Sequence, residues 1–167
     1  FEILYLTDNV DEFALKMLMN YKEKEFKNVS SDDLGIENTE KQEEVKAKEE
    51  ENADMLKSMA DFLGESVSKV VLSKRLKSHP VCISSEGEIT LEMEKVLNSM
   101  PGDQKVKAQR VLEINPDHEI FGKLTAVSSD SEKLGKYAKL LYTQALLIEG
   151  MPVENPVEFS NLICELM

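Results

Sequence analysis

The chain has 167 residues and a formal net charge of −12 at pH 7. This length suffices for one sizeable core, or for one domain with a piece of another, and the acidity argues against nucleic acid as a partner, because Lys and Arg must neutralise its phosphates. No stretch is apolar enough to span a membrane or to serve as a secretory signal, and two distant cysteines, Cys82 and Cys164, suit a reducing compartment rather than a disulfide framework.

The first 38 residues combine two predicted strands with one predicted helix. The apolar run from Glu2 to Thr7 predicts a buried strand, and Asp11 to about Tyr21 predicts a helix. A second short strand is predicted from Phe26 to Val29, followed by a polar, Gly-containing linker from Ser30 to Asn38. Because the chain begins with Phe1 inside an apparent strand, we interpret it as part of a longer protein.

A strongly charged helix is predicted next. The run from Lys41 to Asn52 is rich in Glu and Lys, which predicts a solvated helix face with ion pairs four residues apart. Gly64 stands where a C-cap glycine belongs. Between these points, apolar side chains at helical spacing predict the face that docks on the core: Met55, Leu56, Met59, Phe62 and Leu63.

Three short apolar runs further along the chain predict strands. They extend from Ser68 to Ser73, from Val81 to Ser84 and from Arg110 to Ile114. A helix from Ile89 to about Asn98 separates the last two. Strands this short, joined by loops or by one helix, favour a small and mainly antiparallel three-stranded sheet. With helices covering that sheet, the predicted fold class is α+β.

The third strand leads directly into a predicted helix. Asn115 is a good N-cap, because its side-chain oxygen can accept from a free N–H of the first turn. Pro116 suits the first helical position, where no N–H is needed. Apolar residues then repeat at helical spacing and predict the buried face: Ile120, Phe121, Leu124 and Val127.

Two strong helices are predicted at the end of the chain. The first runs from about Ser131 to Glu149 with Gly150 as its stop, and the second starts with Asn155 as N-cap and Pro156 in the first turn. Their apolar faces are wide. Such faces can pack within one chain, but two adjacent helices of this kind also suit a two-fold interface in which the pair meets its copy as a four-helix bundle.

Catalytic and metal-binding motifs are not apparent. His79 and His118 have no ligand cluster at metal spacing, and a surface or capping role is favoured for His118. The sequence contains no Gly-rich phosphate loop and no hydrolase or metalloprotease motif. We therefore predict no enzymatic activity, no metal and no cofactor for this stretch of chain.

Several separated motifs resemble one protein family. The string LEINPDHEIF at residues 112–121 is the most specific, and LYLTDNVDEFA at 4–14, KRLK at 74–77 and LLYTQALLIEG at 140–150 followed by ENPVEF at 154–159 occur in the same order. Together they resemble the heat-shock protein 90 chaperones, in particular the bacterial form. His79-Pro80 and the loop at 98–103 depart from the family pattern and concern only local loop shape.

The resemblance implies a domain organisation and an oligomeric state. Residues 1–38 would be the α/β tail of the middle domain, and residues 39–167 the C-terminal dimerisation domain. The terminal helices would form a dimeric four-helix bundle with a second copy. The implied dimer-interface residues are Leu140, Leu141, Gln144, Leu147, Ile148, Phe159, Leu162, Ile163 and Leu166.

The helix from Ile89 to Leu97 has two interpretations. Its apolar stripe can be ordinary core, or a half-exposed surface on which flexible Met side chains adapt to varied partners. The resemblance supports the second, because the matching helix contributes to client binding in the family. The implied client-binding residues are Phe13, Ile89, Met93, Val96 and Leu97.

The function implied is part of an ATP-dependent, cytoplasmic, bacterial chaperone. This stretch would provide homodimerisation and part of the surface for unfolded or partly folded client proteins, with no nucleic acid and no membrane as partner. ATP and Mg would bind only in other parts of the full-length family member. The alternative is a stand-alone acidic dimeric adaptor without an ATPase cycle, and an upstream ATP-binding domain would distinguish the two.

Overall fold

A computed structural model describes residues 2–8, 10–29, 39–101 and 106–167. It divides into two compact units, one formed by Phe1–Leu34 and Ser85–Gln109, the other by Gly35–Ser84 and Arg110–Met167. The predicted linker at 30–38 lies outside the described residues. The family-based boundary after residue 38 stays a prediction. The fold is α+β, and no helix among the described residues is long and apolar enough to cross a membrane.

The first unit begins with helix α1 (Asp11–Leu18) and a small hairpin. Strands β1 (Asn20–Tyr21) and β2 (Lys24–Glu25) pair antiparallel around Lys22 and Glu23, whose positive φ angles of 48° and 63° suit a tight two-residue turn. The prediction of a strand from 26 to 29 is therefore wrong. The turn places the second strand of the hairpin at Lys24–Glu25, two residues earlier.

The predicted strand from Glu2 to Thr7 is also absent. These residues form no strand, and Ile3 and Tyr5 are 70% and 88% exposed. An apolar run becomes a stable strand only when neighbouring strands take its backbone hydrogen bonds and a packed layer covers its side chains. Among the described residues, none pairs with it.

Helix α4 (Leu91–Ser99) also belongs to the first unit. Thr90 is its N-cap, with Oγ1 accepting from the Met93 N–H at 3.2 Å, so the helix begins two residues later than predicted. Its far side is held by polar contacts: the Ala108 N–H donates to Glu94 Oε2 at 2.9 Å, and Asn98 exchanges two hydrogen bonds with the backbone of Val106.

The second unit begins with helices α2 (Thr39–Glu51) and α3 (Ala53–Leu63). Of the described side chains of α2, only Val45 is buried, as expected for a solvated helix. The docking face of α3 is confirmed for Met55, Leu56, Met59 and Leu63. Gly64 has φ 55°, and its N–H donates to the Ala60 carbonyl, which confirms the predicted C-cap.

A three-stranded sheet has β5 (Gln109–Ile114) in the middle, between β3 (Lys69–Leu72) and β4 (Val81–Glu86). β3 pairs parallel with β5, so the sheet is mixed and not mainly antiparallel as predicted. The reason is the long connection through β4 and α4, which allows the chain to return in the same direction. The Asn115 N–H donates to the Pro80 carbonyl at 2.9 Å, so β4 and β5 run in opposite directions.

Asn115 does not cap the following helix. Helix α5 (Glu119–Ala126) starts later, and its N-cap is His118, whose Nδ1 accepts from the Ile120 N–H at 3.1 Å. Asn115 is instead fully buried, accepts from the Asp117 N–H and donates to the His79 carbonyl. An Asn side chain that satisfies a backbone turn in this way keeps Pro116 outside the helix. The capping role predicted for His118 is confirmed.

The terminal helices are confirmed. Helix α6 spans Ser131–Ile148 and helix α7 spans Pro156–Leu166. Gly150, with φ 67°, follows the end of α6 as predicted. The Asn155 Oδ1 accepts from the Glu158 N–H at 3.1 Å, which makes Asn155 the N-cap of α7. α6 packs against both α3 and α7.

Two helical glycines differ in the space around them. A Cβ on Gly135 of α6 would lie 2.3 Å from the Phe62 ring, whereas a Cβ on Gly122 of α5 would meet nothing within 4 Å. Phe62, predicted to be buried, is 52% exposed, and its ring lies against this glycine.

We expect Gly122→Ala to stabilise the protein by about 0.5–1 kcal/mol, because Ala loses less backbone entropy in a helix. Gly135→Ala should be less stable than Gly122→Ala by about 1–3 kcal/mol, because the ring must move away. Urea unfolding of both variants checks this. Equal effects would show that the ring yields at no cost, and Phe62→Ala combined with Gly135→Ala should remove the difference.

Candidate functional site

The outer surface of α6 and α7 carries most of the predicted dimer-interface residues. Leu147 and Ile148 are each 48% exposed, and Ile163 is 37% exposed. Leu140, Gln144, Phe159 and Leu166 are half-buried. Leu141 and Leu162 are buried within the chain, so they have no free surface for a partner.

Polar pairs hold α7 against α6. Lys139 contacts Glu158 near the start of α7, and Lys136 Nζ lies 3.1 Å from Glu165 Oε2 near its end. Because the order of these pairs is opposite in the two helices, α7 runs back along α6. Hydrogen bonds from Lys136 to Glu132 and Glu165 raise the pKa of that ammonium. Leu162 of α7 is also buried, so the two helices pack together and present one surface.

The predicted client-binding residues lie in the first unit. Side chains of all five are half-buried: Phe13, Ile89, Met93, Val96 and Leu97. Within α4, the buried positions are Leu91 and Glu94. The stripe is therefore neither a closed core nor a fully open surface. Glu94 turns inward because its carboxylate accepts from the backbone at Ala108, which the charge pattern alone did not indicate.

An ion pair with a buried carboxylate lies in the second unit. Arg75 NH2 donates to Glu113 Oε1 at 2.7 Å and Nε donates to Oε2 at 3.2 Å, a two-point contact. The Ser73 hydroxyl also donates to Glu113 Oε2, at 2.7 Å. Sequence reasoning missed this cluster. The signal was present in Glu113 itself, a carboxylate between apolar residues of a buried strand, which requires a cation.

Cys82 belongs to the same cluster. Its Sγ lies 3.9 Å from Arg75 NH2. Burial, with the nearby Glu113 carboxylate, raises the pKa of the Cys82 thiol to about 12, although Arg75 opposes this. Burial also acts to lower the pKa of Arg75, but the contacts with Glu113 and Cys82 together outweigh it, so the pKa is raised. Cys82 therefore remains a neutral thiol at physiological pH and is a packing residue rather than a nucleophile.

The turn after β5 receives two lysines from α2. Lys41 Nζ lies 3.2 Å from Asp117 Oδ2, and Lys48 Nζ lies 3.6 Å from Oδ1. The hydrogen bond from Lys41 is the main cause of the lowered pKa of Asp117. Val45 is buried between the two lysines. The charged run is thus not only a solvated face, since two of its cations fasten α2 to the turn.

Within the described ranges, no group of three His, Cys, Asp or Glu side chains is placed so that it could hold a metal ion. Both cysteines are free, with Cys164 exposed on α7. The geometry is that of packed helices with half-exposed apolar faces, which suits contact with other polypeptides.

Comparison with known proteins decides the family. Residues 1–167 match the family model described as Hsp90 protein. The chain belongs to the Hsp90 protein family.

Similar chains extend well beyond this stretch of Hsp90 sequence. The chaperone protein HtpG of Clostridium perfringens strain 13 is 58% identical over 168 residues, which covers all of this chain and 26% of that protein. HtpG of Bacillus subtilis strain 168 is 55% identical and HtpG of Clostridium botulinum strain Langeland 56%, again over the whole chain and 27% of each relative. This Hsp90 chain thus spans about a quarter of the length of the relatives it matches.

We expect substitution of Arg75 and substitution of Glu113 in this Hsp90 chain to cost different amounts of folding free energy. The Glu113 side chain is 5% exposed and that of Arg75 29% exposed. Arg75→Met leaves a buried carboxylate without its cation and should cost about 3–5 kcal/mol of folding free energy. Glu113→Gln leaves an arginine that can reach water, at a cost of about 1–3 kcal/mol.

Urea unfolding of both variants measures this difference. Replacing both residues together, Arg75→Met with Glu113→Leu, should cost less than Arg75→Met alone, because no charge then stays buried. Equal losses for the two single variants would contradict the assignment of Glu113 as the buried partner.

Proposed function

We propose that this chain is part of an ATP-dependent Hsp90 chaperone and that it joins two copies through α6 and α7. The observation that carries the proposal is the outer surface of these helices, on which Leu147, Ile148 and Ile163 are exposed and Phe159 is half-buried. The match to HtpG chaperones favours this over a stand-alone adaptor. We also propose the cytoplasm as its location, with ATP and Mg bound by other parts of the longer protein.

The energetics of such a contact are favourable. A symmetric interface uses each apolar side chain twice. These side chains are already more than half covered by their own chain, so burying the rest of one Leu, Ile or Phe contributes roughly half of the 1.5–3 kcal/mol expected for a fully exposed side chain. Association costs about 4–15 kcal/mol in lost freedom, which six or more side chains on a two-fold interface can offset. Leu141 and Leu162 would contribute indirectly, because their burial within the chain keeps α7 seated on α6.

Replacement of Ile148 and Phe159 by Asp should convert the protein from dimer to monomer, because the interface would then bury unpaired charge. Sedimentation velocity at micromolar concentration measures the mass. The matched control is Val157→Asp, which places the same charge at a 71% exposed position on the opposite face of α7 and should leave a dimer. A monomeric wild-type chain would refute the proposal.

We further propose that α4, with Phe13, forms part of the client-binding surface. Half-buried Met93, Val96 and Leu97 form an apolar stripe, and methionine adapts readily to partners of different shape. The same half-burial suits weak and unselective contact with unfolded chains. Leu91 and Glu94 are buried on the other side of α4 and hold the helix in place. Substitutions in the stripe should therefore leave α4 attached.

Met93→Asp combined with Leu97→Asp should weaken capture of an unfolded model protein at least about tenfold, because charge replaces apolar contact at the stripe. Light scattering with a chemically denatured model client measures capture. Dimer mass and melting temperature should stay close to wild type, and Val157→Asp should not affect capture. If the melting temperature falls sharply, the stripe is core; if capture is unchanged, the client surface lies elsewhere.

A further inference from the structure

The first turn of α4 is held by side chains of α1. Glu12 Oε2 accepts from the Thr90 hydroxyl at 2.8 Å. The same Thr90 oxygen accepts from the Met93 N–H, so it both caps α4 and contacts α1. The other Glu12 oxygen, Oε1, accepts from Asn28 Nδ2 at 3.2 Å. With both carboxylate oxygens engaged, Glu12 is well placed to orient the cap of α4.

Lys16 adds a second contact from the same face of α1, since residues four apart on a helix are neighbours. Its ammonium donates to the Glu88 carbonyl just before α4, and it lies 3.0 Å from the Met93 sulfur. A thioether is a weak acceptor. The ammonium therefore covers Met93, a residue of the proposed client stripe, with a charged group.

We propose that Glu12, Lys16 and Thr90 form a clamp that restrains the first turn of α4 and covers Met93. The clamp limits how much of the stripe an unfolded chain can reach. When the clamp opens, Met93 becomes accessible and the client surface grows. Glu12 and Lys16 are positioning residues in this scheme, since they act on the client through α4. The effect on clients rests on the proposed client-binding role of α4.

Hydrogen exchange of the full chain tests the clamp without any client. Glu12→Ala and Lys16→Ala should each speed exchange of the α4 backbone amides at 92–95 by about three- to tenfold, the range expected for losing one hydrogen bond of ordinary net strength. Thr90→Val should do so more strongly, because it also removes the cap, and Thr90→Ser should restore wild-type rates.

Two references keep these measurements specific. Glu25→Ala removes an exposed carboxylate of β2 in the same unit and should leave exchange in α4 unchanged. Amides of Val111 and Leu112, which are fully buried in β5, should keep their wild-type protection in every variant. Faster exchange confined to α4 then reports the clamp and not general unfolding.

Capture of a denatured model protein gives the functional measurement. Glu12→Ala and Lys16→Ala should increase capture about two- to fivefold, because Lys16→Ala uncovers Met93 and Glu12→Ala loosens the first turn of α4 that holds Met93 beneath Lys16. Exchange rates equal to those of Glu25→Ala would overturn the clamp. Faster exchange with unchanged capture would overturn its control of client access, provided that Met93→Asp with Leu97→Asp abolishes capture. If that double variant has no effect, the proposed client function fails and exchange alone decides the clamp.

Discussion

The buried ion pair between Arg75 and Glu113 is the constraint on which the second unit depends. Glu113 lies on the central strand β5, Arg75 follows β3, and Cys82 of β4 completes the cluster, so one carboxylate gathers side chains from all three strands. Ser73 donates to Glu113 and accepts from the N–H groups of Arg75 and Leu76, which shapes the turn after β3. A carboxylate at this depth is tolerated only when its charge and its lone pairs are satisfied. The mixed sheet order brings those partners together.

The packing of the sheet determines which faces of α6 and α7 remain exposed. α3 packs on β3, and α6 packs on α3, so the inner face of α6 is buried in the chain's own core. The side chains left outside are the apolar ones at the end of α6 and along α7, seated by Leu162 and by the ion pairs of Lys136 and Lys139. A surface built on a rigid pair of helices loses little entropy on association, which supports the proposed contact with a second copy.

The first unit is held differently. α4 has few buried apolar positions, and polar contacts of Glu94, Asn98 and Thr90 hold it in place. The contact of Glu94 is buried, but the hydrogen bonds of Asn98 and Thr90 lie at exposed or partly exposed positions and open more easily than a packed core. The half-buried stripe of Met93, Val96 and Leu97 is therefore restrained but can still move, which supports its proposed contact with variable partners.

The sequence by itself determined the family, the α+β class, α3, α6 and α7, and the caps at Gly64, Gly150 and Asn155, because periodicity and cap chemistry depend only on neighbours along the chain. It also indicated which faces of the terminal helices and of α4 are apolar. Only the tertiary structure decided that β3 pairs parallel with β5, that Leu141 and Leu162 face inward, and that Arg75 meets Glu113. It also showed that Asn115 is buried in a turn while His118 caps α5. These outcomes depend on residues far apart in sequence, and a strand, a cap or a buried charge takes its final role from whichever distant partner the fold brings within hydrogen-bonding distance.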